Sequence, residues 1–223
     1  MRQVHSFSAG QWIAPGAGAR PIESAITGEV IAEAGNDALD LHAMRNFARK
    51  VGAPALQEMT FHDRARMLKA IALHLRTHRQ RLYDLSFDTG ATQTDHLFDI
   101  DGGIGTMLVF ASKGRREMPD GHVYLDGAVE QLGRAGQFMG QHICMPLGGV
   151  AVHINAFNFP VWGMLEKLAP NLLSGMPAII KPATATSYVT EACVRLILDS
   201  GLLPNGALQM IAGGTGDLLD HLD

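Results

Sequence analysis

The apolar positions of the chain change period several times, and each change predicts a new element. Residues 1–35 carry short apolar patches broken by Gly and Pro: VHSF, GQWI and AITGEVIAEA. Thr27-Gly28 between apolar flanks marks a turn, so this region predicts hairpin-like strands. From Asn36 the period becomes helical. Asn36 can cap a helix running to about Val51, with Leu39, Ala43, Met44 and Phe47 on one face. A longer helix is predicted from Thr60 as N-cap to about Asp88. It turns Met67, Leu68, Ile71, Leu75 and Leu82 inward, and Gly90 ends it. A third covers Thr94 to about Ser112 with Gly102, Gly103 and Gly105 inside it. A helix-interior glycine costs about 1 kcal/mol, so close packing against a neighbour is the expected reason for them.

Residues 118–147 change character again. Met118-Pro119-Asp120-Gly121, VYLDG and a mixed stretch through GRAGQFMGQHICMP predict paired, partly exposed strands of a kind that finds a partner chain. From Gly148 an α/β alternation takes over. Val150–Ile154 has the length and composition of a buried parallel strand. A polar turn, 155–159, follows, and Pro160 opens a helix on which Trp162, Leu165, Leu168 and Leu172 or Leu173 recur. Gly175 stops it, and Met176–Ile180 reads as a second buried strand ended by Lys181-Pro182. Thr186–Ser200 is helical, with Gly201 as its cap, and Ala207–Ala212 is a third strand. GGTGDLLDHLD then begins another helix. The expected fold class is α/β: an open, Rossmann-like parallel sheet with flanking helices. Three strands are an open half-sheet, so the 223 residues are expected to be the front part of a longer protein.

Composition narrows the function classes. With 47% hydrophobic and 18% charged residues the chain is ordinary globular material. A net charge of −4 argues against nucleic-acid or anionic-membrane partners. Met1–Gly18 lacks the apolar core of a signal peptide, and no apolar run has the length of a membrane span. The two cysteines, Cys144 and Cys193, form neither a disulfide framework nor a zinc spacing. The cytoplasm is the default location.

In a β-α-β unit ligands bind at the strand C-termini, which is where Asn158 and Lys181 fall. The Asn158 amide suits a developing oxyanion, and it equally suits a local Asx-type turn. Lys181 suits ribose hydroxyls or a phosphate, and equally a solvated strand end. Gly213-Gly214-Thr215-Gly216-Asp217 follows a strand and can bring N–H groups to a phosphate, but it is not G-x-G-x-x-G. Gly103-x-Gly105 has Leu108 where a third glycine belongs and is rejected. His74 and His78 share a helix face without a third metal ligand in sequence. Asp99-Ile100-Asp101-Gly102 has leucines at positions 1 and 12 of the calcium loop it would belong to. No metal site is assigned, and neither cysteine has a base beside it in sequence.

FNFP, EKLAP and AIIKPA together resemble the aldehyde dehydrogenase superfamily, and Phe7-x-x-Gly10-x-Trp12, Thr27-Gly28-Glu29-Val30-Ile31 and Asp88-Thr89-Gly90 agree with it along the chain. INAFNFPVWGMLEKLAPNLLSGMPAIIKPATAT and GDLLDHLD resemble a branch acting on CoA-linked semialdehydes in phenylacetate degradation, in which a hydratase-like half follows the dehydrogenase half. The resemblance implies that Asn158 is the oxyanion-hole amide and that Lys167 belongs to a proton relay. Ile154, Asn155, Phe157, Lys181, Thr184, Gly213 and Gly216 would meet the cofactor, Ile154 and Asn155 through backbone. Phe157 stands where the family commonly has Trp. Thr184 replaces a common Glu, which favours NADP, with NAD as the alternative. Phe159 and Gly163 would line the substrate tunnel, Gly163 leaving a wide entry. Residues 1–121 would be the N-terminal part of the dinucleotide-binding domain, 122–147 the strands of a homo-oligomer, and 148–223 the truncated Rossmann-like part. The catalytic domain, with its nucleophilic Cys and general-base Glu, would be absent. Two rival readings stand beside this one: a non-catalytic nucleotide-binding or assembly module, and a semialdehyde dehydrogenase of another aromatic-CoA pathway without a hydratase half.

Overall fold

In a computed structural model of the chain, which describes residues 1–221, three short strands open the molecule: β1 (Arg2–Val4), β2 (Ser6–Ser8) and β3 (Gln11–Ile13). Then come β4 (Arg20–Glu23) and β5 (Val30–Ala34). The hairpin expected at Thr27-Gly28 forms between β4 and β5, and β2 pairs with β3 in a second hairpin. β1 joins β5 in parallel, giving a three-stranded sheet of order β1-β5-β4.

The helical region follows with shifted boundaries. Helix α1 spans Leu41–Phe47, and its cap is Asp40, whose carboxylate accepts the Ala43 N–H at 2.8 Å. Asn36 is therefore not the cap; its side-chain amide donates to Gly214 O at 3.0 Å. The expected continuation to Val51 passes into a π-helical turn, Ala48–Gly52, and then α2 (Ala53–Gln57). Helix α3 (Phe61–Ser86) starts at Thr60, where a capping box with Asp63 satisfies two of the free N–H groups of the first turn. Its predicted inward residues are all buried. Gly90 ends that region at φ +83, a conformation that favours glycine. The third predicted helix is composite: α4 (Gln93–His96), a π-helical turn Leu97–Asp101, and α5 (Gly102–Arg116). Packing explains two of its glycines. A Cβ on Gly103 would lie 2.9 Å from the Trp162 Cα, and one on Gly102 3.1 Å from the Trp162 ring. Gly105 has no neighbour within 4 Å of that position, so close packing does not account for it.

A two-stranded ribbon, β6 (Tyr124–Gln131) and β7 (Met139–Cys144), stands apart as expected. Then β8 (Ala151–Ile154), α6 (Trp162–Leu173), β9 (Ala178–Lys181), α7 (Ser187–Asp199) and β10 (Leu208–Met210) complete the β-α-β-α-β array. The three strands are parallel and adjacent in the order β10-β9-β8. The sheet is mixed rather than purely parallel, because β2 pairs antiparallel with β10 and β3 extends it to five strands. The hairpin seals that edge without stranding polar groups. Ser6 Oγ accepts the Ala212 N–H, Gln209 bridges Ala9 N–H and Met44 O, and Phe7 packs on Trp12. Where the sequence predicts a further helix after Gly213, the described residues form a single 3₁₀ turn, Leu218–His221. Leu222 and Asp223, the last residues of that predicted helix, lie outside the described residues.

All four residues of β9 are buried, as a central strand covered on both faces requires. Ala178 and Ile180, with Leu208 and Met210, join the main core beneath α3, α5, α6 and α7. Ile179 and Ile211 face the other way, against Met44 and Leu218. Glu191 on α7 is buried and accepts from Arg2, Arg195 and the His5 N–H, which ties the N-terminal strands to the array. Among the described residues no helix is long and apolar enough to cross a membrane.

Candidate active-site crevice

The C-terminal ends of β8 and β9 and the turn leading into α6 bring the sequence-predicted residues to one edge of the sheet. The Asn155 N–H donates to Lys181 O at 3.0 Å, so the two strand ends are stitched together there. Asn155 itself is buried, and neither its amide nitrogen nor its amide oxygen has a partner among the described residues. Ile154, Phe157, Asn158 and Phe159 are exposed. Lys181 is 5% exposed, with its ammonium turned onto Pro182 O, and burial lowers its pKa. The solvated strand-end lysine allowed by the sequence is therefore excluded.

The remaining predicted residues fall into two clefts. Asn158, Phe159, Gly163 and Lys167 line a cavity of about 270 Å³ together with Ala156, Trp162 and Glu166. Lys167 is held over it by Gly163 O at 2.8 Å and Glu166 Oε1 at 2.9 Å. A Cβ on Gly163 would meet nothing within 4 Å, so the missing side chain leaves that cavity wide. Thr184, Gly213 and Gly216 line a second and larger cleft, of about 950 Å³, which Arg20, Glu23 and Asp37 also line. The Thr184 hydroxyl donates to Gly213 O at 2.8 Å. Gly213 sits at φ +122, with its Cβ position only 3.0 Å from Asn36 N, so a side chain there is excluded twice over. Because only a 3₁₀ turn follows these glycines, the expected helix N-terminus does not form among the described residues. What they present to a ligand is backbone on an irregular loop.

The roles of three residues escaped the sequence reading. Thr186 Oγ1 donates to Phe157 O at 3.1 Å and Thr190 Oγ1 to Pro160 O at 2.9 Å, both from the start of α7. Asp99, in the π-helical turn, accepts the Val161 N–H at 3.1 Å and the Trp162 N–H at 2.7 Å. The Asn158 turn is thus pinned from two helices. Threonines after KPA offered no signal to separate them from ordinary helix-start residues. For Asp99, the glycines one turn on, at Gly102 and Gly103, were a legible sign of a close neighbour.

Two buried titratable groups lie at this edge with opposite shifts. Burial, with help from the Lys167 charge, pushes His153 down from 6.5 to about 4. Burial pushes Asp99 up from 3.8 to about 6, against the Trp162 and Val161 amides that hold it down. Their contributions to stability run in opposite senses. The His153 contribution is present above 6.5 and is lost as pH falls through about 4; that of Asp99 is present below 3.8 and is lost as pH rises through about 6. His153→Phe is expected to abolish the first loss alone. Its urea stability relative to wild type should rise by up to roughly 3 kcal/mol between neutral pH and about pH 4. A difference that stays constant over this range would mean that His153 titrates normally in the fold.

Of the cysteines, Cys193 is fully buried and its thiol is pushed well above the usual range by desolvation and the nearby Asp99. Cys144 is exposed on the β6–β7 ribbon, paired with Tyr124. Among the described residues no three His, Cys, Asp or Glu side chains are grouped to hold a metal.

A parallel β-α-β-α-β array with its polar residues and clefts at the strand ends defines a dinucleotide-fold type of α/β protein. The family model for the aldehyde dehydrogenase family matches residues 12–222, and the chain belongs to that family. It is 41% identical over 221 residues to a 3,4-dehydroadipyl-CoA semialdehyde dehydrogenase from Aromatoleum evansii, covering 99% of this chain and 43% of that one. A D-glyceraldehyde dehydrogenase (NADP(+)) from Picrophilus torridus is 35% identical over 74 residues, 33% of this chain and 15% of that one. Among solved structures, 3,6-anhydro-L-galactose dehydrogenase superposes with a TM-score of 0.82 at 24% identity, over 99% of this chain and 44% of that one. A betaine aldehyde dehydrogenase point mutant from Staphylococcus aureus, bound to NAD+, gives 0.75 at 23% identity, over 98% and 43%. These two likenesses bear on the fold. The chain spans less than half the length of each relative.

Proposed function

We propose that the chain is the cofactor-binding part of an NADP-dependent aldehyde dehydrogenase that oxidises a CoA-linked semialdehyde to its acid in aromatic catabolism. The observation that carries this reading is the convergence of Asn158, Phe159, Gly163 and Lys167 on one cavity at the sheet edge. The relative from Aromatoleum evansii, named for a CoA-linked semialdehyde, supports the substrate class. In this reading residues 1–121 and 148–223 belong to the dinucleotide-binding domain.

The residues present fit a nicotinamide dinucleotide. Among the described residues, Asn155 carries a buried amide with both ends unpartnered and Lys181 ends its strand with no acid in hydrogen-bond contact, while Gly213 and Gly216 line the larger cleft. Lys181 and Thr184 would hold the adenosine ribose, Ile154, Asn155 and Phe157 the backbone side of the cofactor, and Gly213 and Gly216 its phosphates. When bound, the cofactor accepts the electrons of aldehyde oxidation. Asn158 donates its amide N–H to the oxyanion that develops when a thiolate adds to the aldehyde, stabilising charge where it appears. Lys167 holds a proton beside that site, within a network of Gly163 O and Glu166. The thiol nucleophile and the general base belong to the rest of the complete enzyme. The exposed apolar residues of the ribbon, Leu125, Val129, Phe138 and Ile143 among them, would be covered in a homo-oligomer built through residues 122–147.

Preference for NADP rests on Thr184 and on Arg20, which lines the same cleft. Thr184→Glu in the complete enzyme is expected to move the NADP-to-NAD ratio of kcat/KM at least about tenfold toward NAD, since it sets a carboxylate against the 2′-phosphate. An unchanged ratio would remove the basis for the assignment.

The pathway admits a second reading. Phenylacetate degradation, with a hydratase half in the same protein, follows from the sequence resemblance. The relative from Aromatoleum evansii is named for semialdehyde oxidation alone, which supports the alternative of a CoA-semialdehyde dehydrogenase without that half. Assaying the complete enzyme for oxepin-CoA ring opening separates them: turnover supports the bifunctional type, and semialdehyde oxidation alone supports the other.

A further inference from the structure

The turn that carries Asn158 leads into a helix that does not cap itself. Val161, at the N-cap position of α6, already has helical backbone angles and offers no side-chain cap. The first N–H groups of a helix need acceptors from elsewhere, and here both Val161 N–H and Trp162 N–H point at one buried carboxylate, Asp99, 62 residues back in the chain. The same segment grips the next side chain. Gly103 lies four residues beyond Asp99, so both are on one helix face, and Gly102 and Gly103 pack on the ring and backbone of Trp162. The turn is therefore seated by a receptor made of Asp99 and two glycines on one side, and by Thr186 and Thr190 on the other. Every one of these contacts goes to the backbone or ring of residues 157–162, and none goes to Asn158. Its amide is left free to face the cavity while its backbone position is set by others.

We propose that Asp99 is a positioning residue for the oxyanion amide: its carboxylate, held against the N-terminus of α6, fixes the height of Asn158 over the cavity. This rests on the aldehyde dehydrogenase reading above. The π-helical turn Leu97–Asp101 fits the role, since such insertions re-aim one side chain within an otherwise regular helix and are frequent at functional sites. Asp99 touches no substrate; its influence passes through two backbone N–H groups and the peptide chain between Val161 and Asn158.

The test uses the complete enzyme and a double-mutant cycle with Asn158→Ala. Asp99→Ala is expected to lower kcat by roughly one to two orders of magnitude while KM for aldehyde and cofactor moves less than about threefold. Asp99→Asn keeps an acceptor for the two N–H groups and should recover kcat to within about fivefold of wild type. In the Asn158→Ala background, Asp99→Ala should cost less than about threefold, because both changes act through the same amide. Equal losses in the two backgrounds would overturn the proposal and leave Asp99 a general stabilising residue. So would an unchanged kcat in Asp99→Ala. If the alanine variant does not fold, Asp99→Glu decides: its longer side chain keeps the charge but displaces the turn, so a loss of about tenfold in kcat is expected and full activity overturns the idea. Absence of aldehyde oxidation in the wild-type complete enzyme would strike the functional reading itself, a result separate from any of these.

Discussion

Asn158→Ala in the complete enzyme is expected to lower kcat by roughly two to three orders of magnitude, with little change in KM. The size follows from what the amide does and where it stands. A donor aimed at a developing oxyanion acts in the transition state more than in the ground state, so its loss appears in kcat. The turn that presents it is rigidly held, since Phe157 O and Pro160 O are bonded from α7 and Val161 and Trp162 N–H from Asp99. Truncating the side chain therefore removes a donor without freeing the backbone, and neighbouring groups cannot move in to replace it. Steady-state kinetics of the variant, with thermal melting to confirm an unchanged fold, give the answer. A kcat near wild type would mean that the amide serves only the turn.

The parts legible in the sequence were those fixed by local rules. Thr60 announces a helix N-cap, Thr27-Gly28 a hairpin, and Met176–Ile180 a buried strand, because each depends on neighbours within a few residues. Asn158 and Lys181 were placed at one edge because a β-α-β unit brings its turns to the strand ends, whereas Gly163 and Lys167 were assigned beside Asn158 only by the family resemblance. The parts that escaped are contacts between distant segments. Nothing local reveals that Asp99 caps a helix starting at Trp162, or that β2 would close the sheet beside β10. The misplaced cap at Asn36 has a similar origin. Asn36 has the chemistry of a cap, but a bond to Gly214 O across the fold takes its amide, and Asp40 serves α1 instead. The helix expected after Gly216 rested on a polar-apolar pattern too short to outweigh the backbone demands of Gly213 and Gly216, both at positive φ.

The purified 223-residue chain is expected to show no aldehyde oxidation with either NAD or NADP, at aldehyde and cofactor concentrations that saturate the complete enzyme. Oxidation by the proposed route needs a thiolate at the cavity, and neither thiol can supply one. Cys193 is fully buried in the core, where the charged form is strongly disfavoured by desolvation and by Asp99. Reaching substrate would require unpacking α7 from beneath the sheet. Cys144 is accessible, but it sits on the ribbon opposite Tyr124, and none of the residues around the Asn158 cavity belongs to that ribbon. Binding is a separate matter, since the residues proposed to hold the dinucleotide are all in this chain. Reduced-cofactor absorbance measures turnover, while tryptophan fluorescence quenching or calorimetry measures dinucleotide binding on the same sample. Turnover above background, retained after Cys144→Ser, would show that oxidation proceeds without the thiol step and would overturn the mechanism. Turnover abolished by Cys144→Ser would place the nucleophile on the ribbon and overturn the division of labour drawn from the crevice. Dinucleotide binding without turnover is the outcome that this arrangement of residues predicts.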